Sequence, residues 1–173
     1  MKIAVIGAVA AGTSAAAKAR RTNKDAEIVV FEKGTEISYA GCGLPYYISG
    51  GTASRDQLLA FTADSFSEKY NVELKIKHEV KKINPDKKML YYQDLAEDKE
   101  GSYEYDKLII ATGASAIKPP FKGLDLENIY TLRSVESADQ IKEAVDSGEI
   151  KKATIIGAGL IGLEMAEAFS ELG

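Results

Sequence analysis

The chain has 173 residues, 45% of them hydrophobic and 28% charged, with a formal net charge of −4 and one cysteine. This is the composition of a globular chain with a core, long enough for one domain or one domain and part of another. The basic residues are not gathered into a block, which argues against a nucleic-acid partner; no apolar run approaches the roughly 20 residues that cross a bilayer; and a lone cysteine excludes an intrachain disulfide, which fits a reducing, cytoplasmic setting.

The first segment, KIAVIG from Lys2 to Gly7, is a run of small and β-branched apolar residues. It predicts a parallel strand buried on both faces rather than a signal peptide, since spaced glycines and the basic stretch Lys18 to Arg21 follow it. GAVAAG, Gly7 to Gly12, follows the pattern G-x-G-x-x-G except at its middle glycine, where Ala8 is followed by Val9. A helix from about Thr13 to Thr22 and a second strand, EIVVFE from Glu27 to Glu32, complete a strand–turn–helix–strand unit. Gly7 permits a tight turn and Gly12 lets the helix approach the strand. The helix N-terminus offers free N–H groups and partial positive charge to a pyrophosphate. Glu32 lies 20 residues beyond Gly12, where an acid accepts hydrogen bonds from a ribose diol.

SYAGCGLPYY, Ser38 to Tyr47, holds the one thiol, Cys42, between Gly41 and Gly43, with Pro45 three residues later. The glycines leave the backbone on both sides of the sulfur uncrowded, and Pro45 at an early helical position would start a helix with its amides towards the sulfur. An inert buried thiol is the alternative. Further on, Ser54 to Leu59 predicts a short helical turn, and Thr62 caps a helix through Ser65, Phe66 and Tyr70. Val72 to Ile83 alternates as one or two strands. Lys87 to Asp94 and Ser102 to Asp106 predict strands of a small antiparallel insertion, with the polar run Leu95 to Ser102 as the turn between them. His78 has no partners at metal-ligand spacing, so a packing or surface role is expected and no metal. Tyr91, Tyr92, Tyr103 and Tyr105 have the spacing of sheet packing.

Leu108 to Ala111 predicts a buried strand, ended by Thr112 and Gly113 at the carboxyl edge, where open α/β sheets bind ligands. Pro119 and Pro120 then force an exit from the domain. A helix from Ser134 to Val145, capped by Ser134, leads to a second unit: a strand at Ala153 to Ile156, a full G-x-G-x-x-G at Gly157, Gly159 and Gly162, and a helix from about Leu160. The expected organisation is an α/β, Rossmann-like nucleotide-binding domain over residues 1–120 with its antiparallel insertion, a connecting segment over 121–150, and the opening strand, turn and helix of a second Rossmann-like domain over 151–173. The second unit breaks off after its first helix, so the chain is expected to be the N-terminal piece of a longer protein.

KIAVIGAVAAG, VVFEKG, SYAGCGLPYYISG, LIIATGASAIKPP and IIGAGLIGLEMAE, in this order and spacing, resemble the N-terminal part of the pyridine nucleotide-disulfide oxidoreductase family, over essentially all 173 residues. The similarity is greatest to its single-cysteine branch of coenzyme A-disulfide reductases, NADH oxidases and NADH peroxidases. The resemblance implies that the first unit binds FAD and the second NADH or NADPH. It implies that Gly7, Ala8, Val9 and Gly12 wrap the FAD pyrophosphate, that Glu32 holds the adenosine ribose with Lys33 beside it, and that the backbone of Val80 meets the adenine. Ala111, Thr112 and Gly113 would lie near the FAD phosphate and ribitol, Arg133 near the cofactor, and Glu164 near the nicotinamide side of the flavin. Dithiol members carry a second cysteine where this chain has Tyr47, and Gly41 replaces an asparagine common in the branch.

The activity so implied passes a hydride from NAD(P)H to FAD and then electrons to Cys42, which cycles through a mixed disulfide or a sulfenic acid and reduces coenzyme A disulfide, persulfide or polysulfide. The alternative is an NADH oxidase or peroxidase acting on oxygen or peroxide. For a coenzyme A substrate, Arg21 and Lys18 on the first helix would meet phosphates, and Ser38 would line the thiol channel; Arg20 and Lys18 are alternatively solvated surface. The resemblance also implies a homodimer formed through a C-terminal domain.

Overall fold

The computed structural model describes residues 1–51 and 54–173. They form two compact units, Met1–Tyr39 with Leu59–Gly113, and Ala40–Leu58 with Ala114–Gly173.

The first unit is built on a parallel sheet of β1 (Lys2–Ile6), β2 (Glu27–Phe31), β3 (Glu73–Lys75) and β7 (Lys107–Ile110), in the order β3-β2-β1-β7. Side chains alternate across a strand, so β1 and β2 feed both faces. Ile3, Val5, Ile28 and Val30 join Ala8, Ala16, Ala17, Ile37, Phe66 and Val72 in one core, beneath α1 (Ala10–Thr22) and α3 (Ala63–Tyr70). Ala4, Val29 and Phe31 join Leu90 and Tyr105 in the other. This two-sided burial is why both strands read as continuous apolar runs. β7 differs from the expected buried strand: it is the sheet edge, half-buried, with Ile110 62% exposed.

The second face is covered by an antiparallel sheet of β4 (His78–Asn84), β5 (Met89–Asp94) and β6 (Lys99–Glu104). The run from Val72 breaks into β3 and β4 at Lys77, which has a left-handed φ of 56°. The turn after β5 is shorter than expected: Lys99 already pairs with Asp94, so the polar run is half turn and half strand. Its alternate charges lie on an exposed edge, and Gly101 faces Tyr92, whose ring lies 2.4 Å from where a Cβ would stand. Phe31 joins the two sheets, 1% exposed, with its ring 5.1 Å from Tyr92 and 5.8 Å from Tyr103. His78 packs on Tyr92 at 5.3 Å, its Nδ1 2.7 Å from the Ile76 carbonyl and its Nε2 3.7 Å from Asp94. Tyr92, Tyr103, Tyr105 and His78 are therefore sheet packing, whereas Tyr91 is exposed.

Arg20 is not solvated surface. Its guanidinium donates to the carbonyls of Lys24, Tyr70 and Asn71 at 2.6, 3.0 and 2.5 Å, clamping the C-terminal end of α1 to that of α3. In α3 the Thr62 hydroxyl and Ser65 form a reciprocal capping box.

The second unit holds a 3-10 turn at Gly41–Gly43, α2 (Leu44–Ser49), a 3-10 turn at Arg55–Leu58, α4 (Val135–Asp146) and α5 (Leu160–Glu171). Ser134 and Ser137 cap α4 reciprocally, and α2 packs on both α4 and α5. The expected strand at Ala153 to Ile156 is absent: these residues have no regular structure, and Ile156 is 81% exposed. A parallel strand exists only through a hydrogen-bonded neighbour, and the described residues provide none here. Among the described residues no helix is long and apolar enough to cross a membrane.

Phe31→Ala removes the ring on which both sheets of the first unit close. It is expected to cost about 3–5 kcal/mol in urea unfolding, as a buried aromatic truncation does, whereas Tyr91→Ala, at an exposed residue of β5, stays within about 1 kcal/mol.

Candidate active site

The first glycine turn follows β1 at the carboxyl edge of the parallel sheet. Gly7 has φ +97°, and a Cβ there would lie 2.3 Å from the Ala111 carbonyl oxygen. A Cβ on Gly12 would lie 1.7 Å from the Gly7 carbonyl oxygen. The first position needs glycine for its backbone angle and both need it for space, so α1 can start directly above the strand end. Ala8 is fully buried beneath it. Val9 is the N-cap of α1 at φ −90°, an angle that any L-residue adopts, and no side chain caps the helix. The free amides of the first turn therefore remain available to an anion. The Thr13 hydroxyl, nearly the whole residue being buried, is satisfied by the Val9 carbonyl.

Glu32 follows β2 directly and reaches back to the turn. Its carboxylate accepts from the Ala8 N–H at 2.7 Å and the Gly34 N–H at 2.9 Å. Its carbonyl accepts from the His78 N–H at 2.9 Å, which ties the start of β4 to this edge. Val80, two residues on, is half-buried against the Phe31 cluster; Lys33 is exposed. Ser38, with a left-handed φ of 48°, donates its N–H to the Ala8 carbonyl at 2.9 Å and accepts from the Ala60 N–H at 3.0 Å. Ala111 donates to the Ile6 carbonyl at 2.8 Å, and the exposed Thr112 and Gly113 continue from it. One sheet edge thus gathers Gly7, Ala8, Val9, Gly12, Glu32, Ser38, Ala111 and Thr112. Lys18 and Arg21 lie exposed on α1.

In the second unit, Cys42 is exposed on the 3-10 turn that leads into α2. A Cβ on Gly41 would meet nothing within 4 Å, while one on Gly43 would lie 2.8 Å from Leu58 Cδ2. The helix expected at Pro45 starts at Leu44, with Leu44, Pro45 and Ile48 buried. Arg133 is exposed and donates Nε to the Ala114 carbonyl at 2.8 Å. Gly157 has φ +109°, and a Cβ on Gly162 would lie 2.0 Å from its carbonyl oxygen. This repeats the Gly7 and Gly12 geometry even though the preceding strand has not formed. At Gly159 an added Cβ meets nothing within 4 Å. Among the described residues nothing requires glycine at this position. Glu164 is half-buried on α5.

A further cluster had no sequence signal. The Tyr47 hydroxyl donates to Asp139 Oδ1 at 2.8 Å, and Arg55 Nε donates to Asp139 Oδ2 at 3.1 Å. The partners are 92 and 84 residues apart, and no local pattern announces such a pairing.

Two glycine turns of one geometry, the first on a parallel sheet edge with an acid ending the adjacent strand, define a dinucleotide-binding α/β protein. The chain belongs to the pyridine nucleotide-disulphide oxidoreductase family, whose profile matches residues 1–173. It is 40% identical over 166 residues to a coenzyme A disulfide reductase of Staphylococcus haemolyticus, covering 96% of this chain and 37% of that protein. Among solved structures it is similar to an NAD-dependent persulfide reductase from A. fulgidus, with a TM-score of 0.94 and 39% identity over 99% of this chain and 32% of that one. It is also similar to a water-forming NADH oxidase from Lactobacillus brevis bound to NADH, with a TM-score of 0.94 and 33% identity over 100% of this chain and 38% of that one. The chain thus spans under two fifths of the length of the curated relative described.

The two turns make opposite predictions for one substitution. Gly12→Ala forces backbone apart at a 1.7 Å approach, and a loss of about 3 kcal/mol or more in urea unfolding is expected. Gly159→Ala should leave stability within about 0.5 kcal/mol while weakening NAD(P)H binding to the full-length protein, measured as a raised Kd.

Proposed function

We propose that the whole protein is an FAD-dependent NAD(P)H:disulfide oxidoreductase that reduces coenzyme A disulfide, a persulfide or a polysulfide through Cys42. The observation that carries this reading is the chain's one thiol standing exposed on a glycine-flanked turn. In this reading residues 1–120 hold FAD, 121–150 connect, and 151–173 open the NADH or NADPH domain. The remainder, including the surface of a homodimer, lies outside this chain, and the setting is cytoplasmic.

The residues suit the cofactors. A dinucleotide pyrophosphate needs close backbone and free amides, and the Gly7 to Gly12 turn has both, with Glu32 hydrogen-bonded beside it. Gly7, Ala8, Val9 and Gly12 would hold the FAD pyrophosphate, Glu32 and Lys33 the adenosine ribose, and Val80 the adenine. Ala111, Thr112, Gly113 and Arg133 would serve the rest of FAD. Gly157, Gly159, Gly162 and Glu164 would serve the nicotinamide nucleotide. When bound, FAD supplies two-electron chemistry between NAD(P)H and a thiol.

Cys42 performs the exchange. Its thiolate attacks one sulfur of a disulfide RSSR; the Cys42–S–S–R bond forms, the substrate S–S bond breaks, and RS− leaves and takes a proton. Two electrons originating from NAD(P)H break the mixed disulfide, which restores the Cys42 thiolate and releases a second RSH. The sum is NAD(P)H, a proton and RSSR giving NAD(P)+ and two RSH. Exposure of Cys42 admits a substrate sulfur, and Gly41, with nothing near its Cβ position, leaves that approach open. Lys18 and Arg21 supply exposed cations for coenzyme A phosphates, and Ser38 lines the substrate path.

Similarity to the NADH oxidase supports a second reading, in which oxygen or peroxide is the acceptor and Cys42 cycles through sulfenic acid. Cys42→Ser in the full-length, FAD-loaded protein separates them. Reduction of FAD by NADH should survive and thiol production from coenzyme A disulfide should be lost. Unchanged disulfide turnover in this variant, or stoichiometric water formation without thiol product by the wild type, overturns the disulfide reading.

A further inference from the structure

The 3-10 turn that bears Cys42 is held on its N-terminal side by backbone alone: Ala40 donates to the Leu58 carbonyl at 2.8 Å and Gly43 to the Ala40 carbonyl at 2.9 Å. No side chain caps it or α2, and it is flanked by Gly41 and Gly43. Gly41 has open space around it. On its other side the sulfur's position follows α2, a helix of six residues that begins directly after the turn. Leu44, Pro45 and Ile48 bury one side of α2, and because the hydrophobic effect is non-directional this burial sets the rotation of the helix less sharply than a hydrogen bond does.

The directional contact is made by Tyr47. Its hydroxyl donates to Asp139 Oδ1 at 2.8 Å, on the α4 surface against which α2 packs. The other oxygen of the same carboxylate accepts from Arg55 Nε at 3.1 Å, on the 3-10 turn that closes the segment after α2. Asp139 therefore ties α4 to the elements on both sides of residues 50–54. α4 is itself held by its Ser134–Ser137 capping box and by buried Val135, Ala138 and Ile141. The Lys142 ammonium, 5.7 Å from the centre of the Tyr47 ring, adds a cation to that side. Burial first, and then the bond to Asp139, raise the Tyr47 hydroxyl above its ordinary range, so the tyrosine stays a donor throughout neutral pH.

We propose that Asp139, through Tyr47 and Arg55, is a positioning residue for Cys42: it fixes the rotation of α2 and so the place of the sulfur. The inference rests on the thiol chemistry assigned to Cys42, and its consequence is selective. Loosening the carboxylate should disturb steps that involve the sulfur and spare those that do not, because misplacement of a reacting atom by an ångström slows a reaction by orders of magnitude.

The test uses the full-length, FAD-loaded protein with Tyr47→Phe, Asp139→Ala and the double variant. Melting temperature and FAD content control for folding. Three readouts follow: alkylation of Cys42 by iodoacetamide, the long-wavelength thiolate-to-flavin absorbance of the reduced enzyme, and FAD reduction by NADH. The expected result is a change of about tenfold in alkylation rate and loss or displacement of the absorbance band. FAD reduction should stay within about twofold, and the double variant should match Asp139→Ala, as residues acting through one contact are not additive. Unchanged alkylation and absorbance in both single variants overturn the proposal. So does a uniform loss of FAD and of melting temperature in Tyr47→Phe, which would make the cluster an ordinary tether. Alkylation is independent of the substrate, so a wild type inactive on disulfides would refute the functional reading while leaving this one decided by its own readout.

Discussion

The first unit depends on how closely a helix can start above the end of a strand. Gly12 comes so near the Gly7 carbonyl that a single methyl group would stand 1.7 Å from the oxygen. That approach directs the unbonded amides of the first turn of α1 outwards at the carboxyl edge of the sheet, and it sets α1 low enough for Ala16 and Ala17 to fill the gap over β1 and β2. The small residues of α1 and the glycines of the turn are thus one solution. Larger side chains on that face would lift the helix and remove the reason for Gly12.

From that edge the organisation spreads through β2. The carbonyl of Phe31 receives the Gly7 N–H at 2.8 Å, and its ring receives the antiparallel sheet. Glu32 then uses its carbonyl for the start of β4 and its carboxylate for Ala8 and Gly34. Glu32 is thus a structural junction, and replacing it would loosen the turn and the start of β4 together. Glycine need not serve both ends in this way. Gly157 and Gly162 shape their turn, whereas Gly159 leaves space that none of the described residues occupies.

What was legible in the sequence was local. Periodicity and turn chemistry located β1, α1, β2, α3 and α4 within a few residues, because caps such as Thr62 and Ser134 act over three residues. The glycine positions and the thiol were legible for the same reason, since each motif is a short stretch whose residue types suffice. The misread elements were those whose state depends on a distant neighbour. Ala153 to Ile156 has the apolar character of a strand and no strand to pair with; Leu108 to Ile110 has the character of a buried strand and lies at an edge. Arg20, one of several basic residues at the end of α1, proved to be a clamp because carbonyls 50 and 51 residues away converge on it.

The sequence by itself determined the periodic elements, the two glycine turns, the isolated thiol and the family, all of which are written in neighbouring residue types and their order. Only the tertiary structure decided the order of the described strands, which arginine is bound, and which carboxylate, at position 139, reaches the hydroxyl of Tyr47. The reason is physical. Local conformation follows from backbone angles and capping within a few residues, whereas a hydrogen bond across 92 positions exists only when packing brings two separate helices together.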